Sequence, residues 1–179
     1  NIINKNDEKC FIWSVLAQIH PTNENNTRLS KYSKYEADLD MSGISYPVKI
    51  TDIEKFESNN PTYSVSVFGI DEHEDIFPLQ VSNCQKANHV RLLMISNEST
   101  RHYVLINDLS RMLSKQINKH NGKKYFCDRC LNPFQSKGVL SRHITMCNQS
   151  APVNEKYPQD EVLKFTKIQY QLQAPFIVA

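Results

Sequence analysis

The sequence contains no apolar run long enough to cross a bilayer, and its first residues, NIINKNDEK, lack the basic-then-apolar layout of a secretory signal peptide. Internal repeats and low-complexity tracts are also missing. With 40% hydrophobic and 22% charged residues, the 179-residue chain has a globular composition and the length of one ordinary domain plus a small second module. These features exclude a membrane-spanning, a repeat and a disordered protein.

The number of cysteines is odd. The chain has five of them, at Cys10, Cys84, Cys127, Cys130 and Cys147. An odd number without a signal peptide argues against a disulfide framework and for a reducing compartment. We therefore expect an intracellular protein, in the cytoplasm or the nucleus, with no membrane partner.

Charge is distributed unevenly along the chain. Residues 1–108 contain 10 Lys and Arg against 15 Asp and Glu, whereas residues 109–179 contain 11 against 4. This asymmetry predicts two modules with different partners. The basic second half is compatible with non-specific nucleic-acid binding, and equally with an ordinary solvated surface.

Helical patterns dominate the first sixty residues. Apolar residues at helical spacing predict a helix over residues 8–19, with Trp13 in the core, and a polar helix is predicted over residues 27–39. Thr51 and Glu54 form a capping-box pattern, which predicts a short helix that begins at Thr51.

Strand patterns follow. Alternating or apolar runs predict four strands of an antiparallel sheet, at residues 63–70, 75–82, 89–96 and 102–107. Helices followed by such a sheet indicate an α+β fold. We place a first domain at residues 1–110, a basic helix and linker at 111–123, a small module at 124–148 and a C-terminal extension at 149–179.

The segment KYFCDRCLNPFQSKGVLSRHITMC contains four metal-ligand candidates, Cys127, Cys130, His143 and Cys147. Two cysteines separated by two residues form a knuckle, and a histidine and a cysteine four residues apart share one helical face. The segment resembles a C2H2 zinc finger whose last ligand is cysteine. It predicts a small ββα unit with one structural zinc ion per chain, and removal of the metal is expected to unfold this unit and leave the first domain standing.

In such fingers the base-reading positions would fall here on Ser136, Val139 and Arg142. Only Arg142 is a good base reader, and a lone finger buries little surface. These residues favour phosphate or protein contact over sequence readout.

Two further residues suggest nucleophilic chemistry. Asp7 is a good N-cap, so a helix that starts at Glu8 would place Cys10 in its first turn, where a thiolate is stabilised and its pKa is lowered. His102, at the start of the last strand, could act as the base, oriented by Asn107 or Asp108. The alternative is that Cys10 is an ordinary buried thiol, which is the commoner state of a free cysteine.

The stretch DEKCFIWSVL resembles the nucleophile helix of ovarian-tumour-type (OTU) cysteine peptidases, and HYVLI resembles the histidine strand of papain-like peptidases. The resemblance implies a papain-like fold, with an N-terminal helix packed on the sheet, and cleavage of ubiquitin or ubiquitin-like conjugates. It makes Cys10 the nucleophile, Asp7 the acidic residue three positions before it and His102 the base. The chain departs from the OTU pattern at Glu8 and Lys9, and at Val104.

Because Val104 stands where OTU enzymes have their polar third residue, that residue must come from elsewhere. Asp108 is our first choice and Asn107 our second.

Over nearly its whole length the chain also resembles a region of Polinton (Maverick) transposons that lies directly before a protein-primed family B DNA polymerase. The likeness rests on KCFIWSVL, HYVLINDLSRML, the finger and the terminal APFIVA. It implies an alternative function, a non-enzymatic module that binds DNA or protein beside the polymerase.

The remaining candidates are weaker. Cys84 is predicted to be a structural thiol. The other histidines have no ligand partner at a recognisable spacing and are predicted to lie at the surface or in turns, namely His20, His73, His89 and His120.

Overall fold

The computed structural model describes residues 2, 4, 7–82, 85–96, 101–117 and 124–149. They form an α+β fold with helices α1 (Cys10–Ile19), α2 (Ile53–Asn59), α3 (Leu109–Ile117) and α4 (Lys137–Cys147), and strands β1 (Tyr63–Ile70), β2 (Ile76–Gln80), β3 (Asn88–Ser96), β4 (Arg101–Leu105), β5 (Tyr125–Phe126) and β6 (Pro133–Phe134). No helix in these ranges is long and apolar enough to span a membrane. The predictions for Cys84, His120, the linker at 118–123 and the extension from residue 150 onward lie outside the described residues.

The first four strands form one mixed sheet in the order β2-β1-β3-β4. β1 pairs antiparallel with β2, and β3 pairs antiparallel with β4, but β1 and β3 are parallel. The predicted antiparallel sheet is therefore wrong in one of its three pairings. The alternating pattern reports which face of a strand is buried, but not on which side of β1 the next strand is added.

Helix α1 begins two residues later than predicted. Its first residue is Cys10 rather than Glu8, and its N-cap, Lys9, makes no side-chain capping bond. Asp7 does not cap the helix because its Oδ1 accepts hydrogen bonds from Lys9 N at 2.8 Å and from Trp13 Nε1 at 3.1 Å. The acidic residue thus fixes the approach of the chain to α1, and Trp13 is buried, as predicted.

The polar segment before α2 is less regular than predicted. Residues 27–39 contain two 3-10 helices, at Leu29–Lys31 and Ser33–Asp38, in place of one α-helix. A third 3-10 turn, Ile50–Asp52, leads into α2, whose N-cap is Asp52 without a side-chain bond. The predicted capping box is wrong, because Thr51 lies inside this turn and lacks the extended backbone of an N-cap.

Both faces of the sheet are covered. On one face α1 and α2 pack on side chains such as Val65, Leu92 and Tyr103. On the other face Phe68 and Ile76 pack with apolar residues from α3 and from the segment around β5, namely Leu109, Leu113, Phe126 and Leu131. The small module at 124–148 therefore belongs to the same compact unit as the sheet.

Candidate functional site

Cys10 lies against strand β4. Its sulfur accepts a hydrogen bond from Tyr103 N at 3.4 Å and donates one to Arg101 O at 3.9 Å. These two residues flank His102, and they are 93 and 91 positions from Cys10 in the sequence. The fold thus brings the predicted nucleophile to the backbone of the predicted base.

This contact forms because β4 is an edge strand. Ile106 N donates to Arg91 O at 2.9 Å, so the even-numbered residues of β4 direct their backbone groups towards β3. The backbone groups of Tyr103 therefore face the free edge, where they would lack partners. Helix α1 lies along this edge and binds it through side chains: Ser14 Oγ donates to Tyr103 O at 3.0 Å, one helical turn after Cys10.

The side chain of Tyr103 fastens α1 to the sheet. Its buried ring packs edge-on against Phe11, with 5.3 Å between ring centroids. Its hydroxyl donates to Val48 O at 3.0 Å. Burial raises the pKa of Tyr103 to about 12, so the hydroxyl remains a neutral donor at physiological pH.

The thiol of Cys10 is not the preformed thiolate that its position predicts. Burial raises the pKa of Cys10 above its ordinary value of 9.0, although the backbone N–H groups of Tyr103, Phe11 and Cys10 itself act to lower it. The start of α1 therefore acts in the expected direction, but the loss of water around a side chain in a residue only 7% exposed outweighs it. The predicted lowering of this pKa is wrong.

His102 is half-buried and pairs with Ile95 across β3 and β4. Because neighbouring side chains of a strand point to opposite faces, its side chain leaves β4 on the face opposite Tyr103. The imidazole can therefore approach the sulfur of Cys10 only around the edge of the strand, not across the core.

Asn107 and Asp108 lie just after β4, between this strand and α3. The strand pairing continues to Ile106, so both residues follow the last paired residue of the strand. Asp108 is exposed and caps α3, because its Oδ1 accepts a hydrogen bond from Arg111 N at 3.0 Å. The role of Asp108 or Asn107 in orienting the imidazole stays a prediction.

The finger ligands lie together. The ligand atoms of Cys127, Cys130, His143 and Cys147 are all within 4.8 Å of one another. Cys130 Sγ lies 3.2 Å from His143 Nε2, and the sulfurs of Cys127 and Cys147 lie 4.0 Å apart. Tetrahedral bonds of about 2.0–2.3 Å need donor separations of about 3.3–3.8 Å, so the four residues are close enough to hold one metal ion.

The fold around these ligands is the predicted ββα unit. Strands β5 and β6 pair antiparallel, and α4 carries the last two ligands. Burial raises the pKa of Cys127 to about 11, so a metal ion must displace its proton on binding. The ring of Phe134 packs against His143 with 4.5 Å between centroids, which holds the imidazole in place.

A buried carboxylate fastens the finger to the sheet. Asp128, inside the cysteine knuckle and 1% exposed, accepts hydrogen bonds from His89 Nε2 at 2.6 Å and from Arg91 Nε at 2.9 Å. His89 Nδ1 in turn lies 2.8 Å from Ser64 Oγ. Burial alone would raise the pKa of Asp128, but the hydrogen bonds from His89 and Arg91 and the charge of Arg91 hold it below its usual value. The predicted surface position of His89 is wrong.

The three predicted base-reading residues of the finger helix differ in their contacts and exposure. Ser136 is the N-cap of α4, since its Oγ accepts a hydrogen bond from Val139 N at 3.3 Å. Val139 is 40% exposed, and Arg142 is exposed. On the other side of α4, a groove of about 680 Å³ separates it from α3, with Lys124 and Lys137 among its lining residues.

No family model, curated protein or solved structure matches the chain. The function is therefore inferred from the chemistry of these sites.

Proposed function

We propose that the chain is a cysteine peptidase with a papain-like arrangement of nucleophile helix and histidine strand. The observation that supports it is the position of the Cys10 sulfur, 3.4 Å from the backbone nitrogen that follows His102. The two residues are far apart in the sequence, so this placement depends on the whole packing of α1 against β4. By resemblance, the substrates are ubiquitin or ubiquitin-like conjugates.

In this mechanism Cys10 is a protonated thiol until it attacks the substrate. As the sulfur attacks the substrate carbonyl, His102 accepts the thiol proton, and it then donates that proton to the leaving amine. Trp13 N is the first amide to donate within α1, to Lys9 O at 3.1 Å, so the N–H groups of Cys10 and Phe11 have no acceptor inside the helix and can stabilise the oxyanion. Water, deprotonated by His102, then hydrolyses the thioester.

The test is a ubiquitin probe with a C-terminal electrophile, incubated with the full chain. We expect one adduct, at Cys10, and loss of conjugate hydrolysis in Cys10→Ala and His102→Ala. His73→Ala, in the exposed turn before β2, is the matched histidine control and should remain active. Hydrolysis that persists in Cys10→Ala would end the peptidase proposal.

We further propose that the metal at Cys127, Cys130, His143 and Cys147 is zinc with a structural role. Three thiolates and one imidazole suit zinc, and four protein ligands leave no position for a reacting water. Metal analysis of the purified chain should find one zinc per molecule, and Cys130→Ser should lower this content. A folded protein without bound metal would contradict this assignment.

A second candidate function is a module that binds nucleic acid beside a transposon-encoded DNA polymerase. The groove between α3 and α4 favours it, because Lys124 and Lys137 both line it. Asp108 also lines the groove, and the charge of Arg91 is paired with Asp128. Binding should weaken as salt is raised, and the double variant Lys124→Ala and Lys137→Ala should weaken it further. A pair of substitutions outside the groove, Lys31→Ala and Lys34→Ala, is the matched control. Equal binding by the two double variants would exclude the groove.

A further inference from the structure

Both backbone groups of one residue at the edge of the sheet are bound by side chains of α1. Tyr103 N donates to Cys10 Sγ at 3.4 Å, and Tyr103 O accepts from Ser14 Oγ at 3.0 Å. Cys10 and Ser14 are four residues apart, so they lie on one face of the helix, one turn from each other. The start of α1 is thereby attached to Tyr103 at two points.

The two attachments are unequal. A thiol sulfur is a weak hydrogen-bond acceptor, whereas a hydroxyl that donates to a carbonyl at 3.0 Å forms a bond of ordinary strength. Ser14 is also buried, at 3% exposed, so water does not compete for Tyr103 O. The bonds of the Cys10 sulfur alone would hold the first turn only weakly in place along the strand, and the Ser14 bond adds a stronger contact one turn further along.

We propose that Ser14 is a positioning residue that holds the sulfur of Cys10 against the peptide between His102 and Tyr103. This inference rests on the proposed peptidase function and adds to it a residue that does not touch the substrate. Ser14 acts through Tyr103 and α1, and its hydroxyl is the group that matters.

The test uses the full chain and two substitutions of the same shape. Ser14→Thr keeps a hydroxyl and Ser14→Val lacks one, so the pair separates hydrogen bonding from packing even if Ser14→Ala does not fold. Ser66→Ala is the matched control, because Ser66 is another buried serine of the same fold and its hydroxyl has no partner among the described residues. Alkylation of the Cys10 peptide is followed by mass spectrometry as a function of pH, together with kcat and KM on a ubiquitin substrate.

Loss of the hydroxyl should move the pH midpoint of Cys10 alkylation upward by about 0.5 unit or more, since the Tyr103 N–H that stabilises the thiolate is no longer held at the sulfur. In the same variants kcat should fall about five- to tenfold with KM unchanged, as expected when one ordinary hydrogen bond is lost. Ser14→Thr should resemble the unsubstituted protein in both measurements, and so should Ser66→Ala.

An unchanged alkylation midpoint in folded Ser14→Val or Ser14→Ala would overturn the inference, and so would an equal shift in Ser66→Ala. Alkylation does not require hydrolysis. If the chain cleaves no conjugate, the peptidase proposal fails, whereas the alkylation midpoint still decides the role of Ser14.

Discussion

The two sites of this molecule are built in different ways. The four finger residues lie within one stretch of the chain, in which Cys147 comes 20 positions after Cys127. The thiol site joins Cys10 to a strand more than 90 positions away. Spacing alone can specify the first kind of site, because a knuckle and a helical turn set the ligand geometry locally. The second kind depends on which strand forms the edge of the sheet.

The sites also differ in what holds them. At the thiol site, side chains of α1 bind a strand edge and aromatic rings pack behind them. At the finger, the ligand cluster is tied to the sheet through Asp128, which is buried with His89 and Arg91. A buried carboxylate that loses its partners destabilises the fold by several kcal/mol. Disruption of the finger should therefore lower the stability of the whole unit more than disruption of the thiol site does.

Metal removal should have the largest effect. Without the metal, we expect Asp128, Phe126 and Leu131 to lose their fixed positions and the part of the sheet face that they cover to be exposed. We therefore expect chelation to lower the free energy of unfolding of the whole unit by more than about 3 kcal/mol, in place of the local unfolding that the sequence predicts. Hydrogen exchange of β3 amides, with and without chelator, measures it. If chelation lowers the protection of β3, added zinc should restore it. Unchanged protection in β3 would show that the finger does not stabilise the sheet.

Asp128→Ala should have the next largest effect. It leaves His89 and Arg91 without their buried partner, and we expect a loss of about 3–5 kcal/mol in urea unfolding at full metal occupancy. Asp38→Ala is the matched control, since the Asp38 carboxylate pairs with His20 but is 51% exposed. That change should cost less than about 1 kcal/mol. Similar costs for the two variants would mean that Asp128 does not fasten the finger.

Much of the fold could be predicted from the sequence, and the failures have identifiable physical causes. The core helix, the four strand segments and the ββα unit follow from periodicity and ligand spacing. The parallel pairing of β1 with β3 does not, because strand alternation carries no information about neighbours. The sequence predicts starts of α1 and α2 that are too early, because Asp7 and Thr51 have side chains that can cap a helix but do not cap one here. Asp7 binds Lys9 N and Trp13 Nε1, and Thr51 lies inside a 3-10 turn.

Among the site residues, too, those set by local spacing were predictable and those set by distant partners were not. The sequence predicts all four residues of the cluster that could hold a metal ion. The fold places Cys10 beside the backbone of His102. His89, Asp128 and Ser14 were missed, because each acts through a partner that is distant in sequence. An aspartate inside a knuckle and a histidine in a strand show no common spacing, and a serine in an apolar helix gives no sign of the carbonyl it will bind.

Asp108→Ala tests whether Asp108 only caps α3 or also acts at the thiol site. As the cap of α3 it should cost about 1 kcal/mol of stability and leave hydrolysis unchanged. Ser136→Ala removes the cap of α4 and is the matched control, with a similar cost. A drop of more than tenfold in kcat, without a matching loss of stability, would instead give Asp108 the role of orienting His102 in the proposed peptidase.

The smallest expected effect is the titration of Cys10 itself. Burial raises the pKa of this thiol, so its alkylation midpoint should lie above the ordinary value of 9.0 and its rate at neutral pH should be below that of a free cysteine. The direction follows because only the thiolate reacts, and a raised pKa delays its formation as the pH increases. A thiolate already paired with imidazolium would give the opposite result, a reaction that stays fast well below neutral pH. Peptide-resolved alkylation from pH 5 to 10 separates the two states, and His102→Ala should leave the high midpoint in place if His102 takes the proton only during attack.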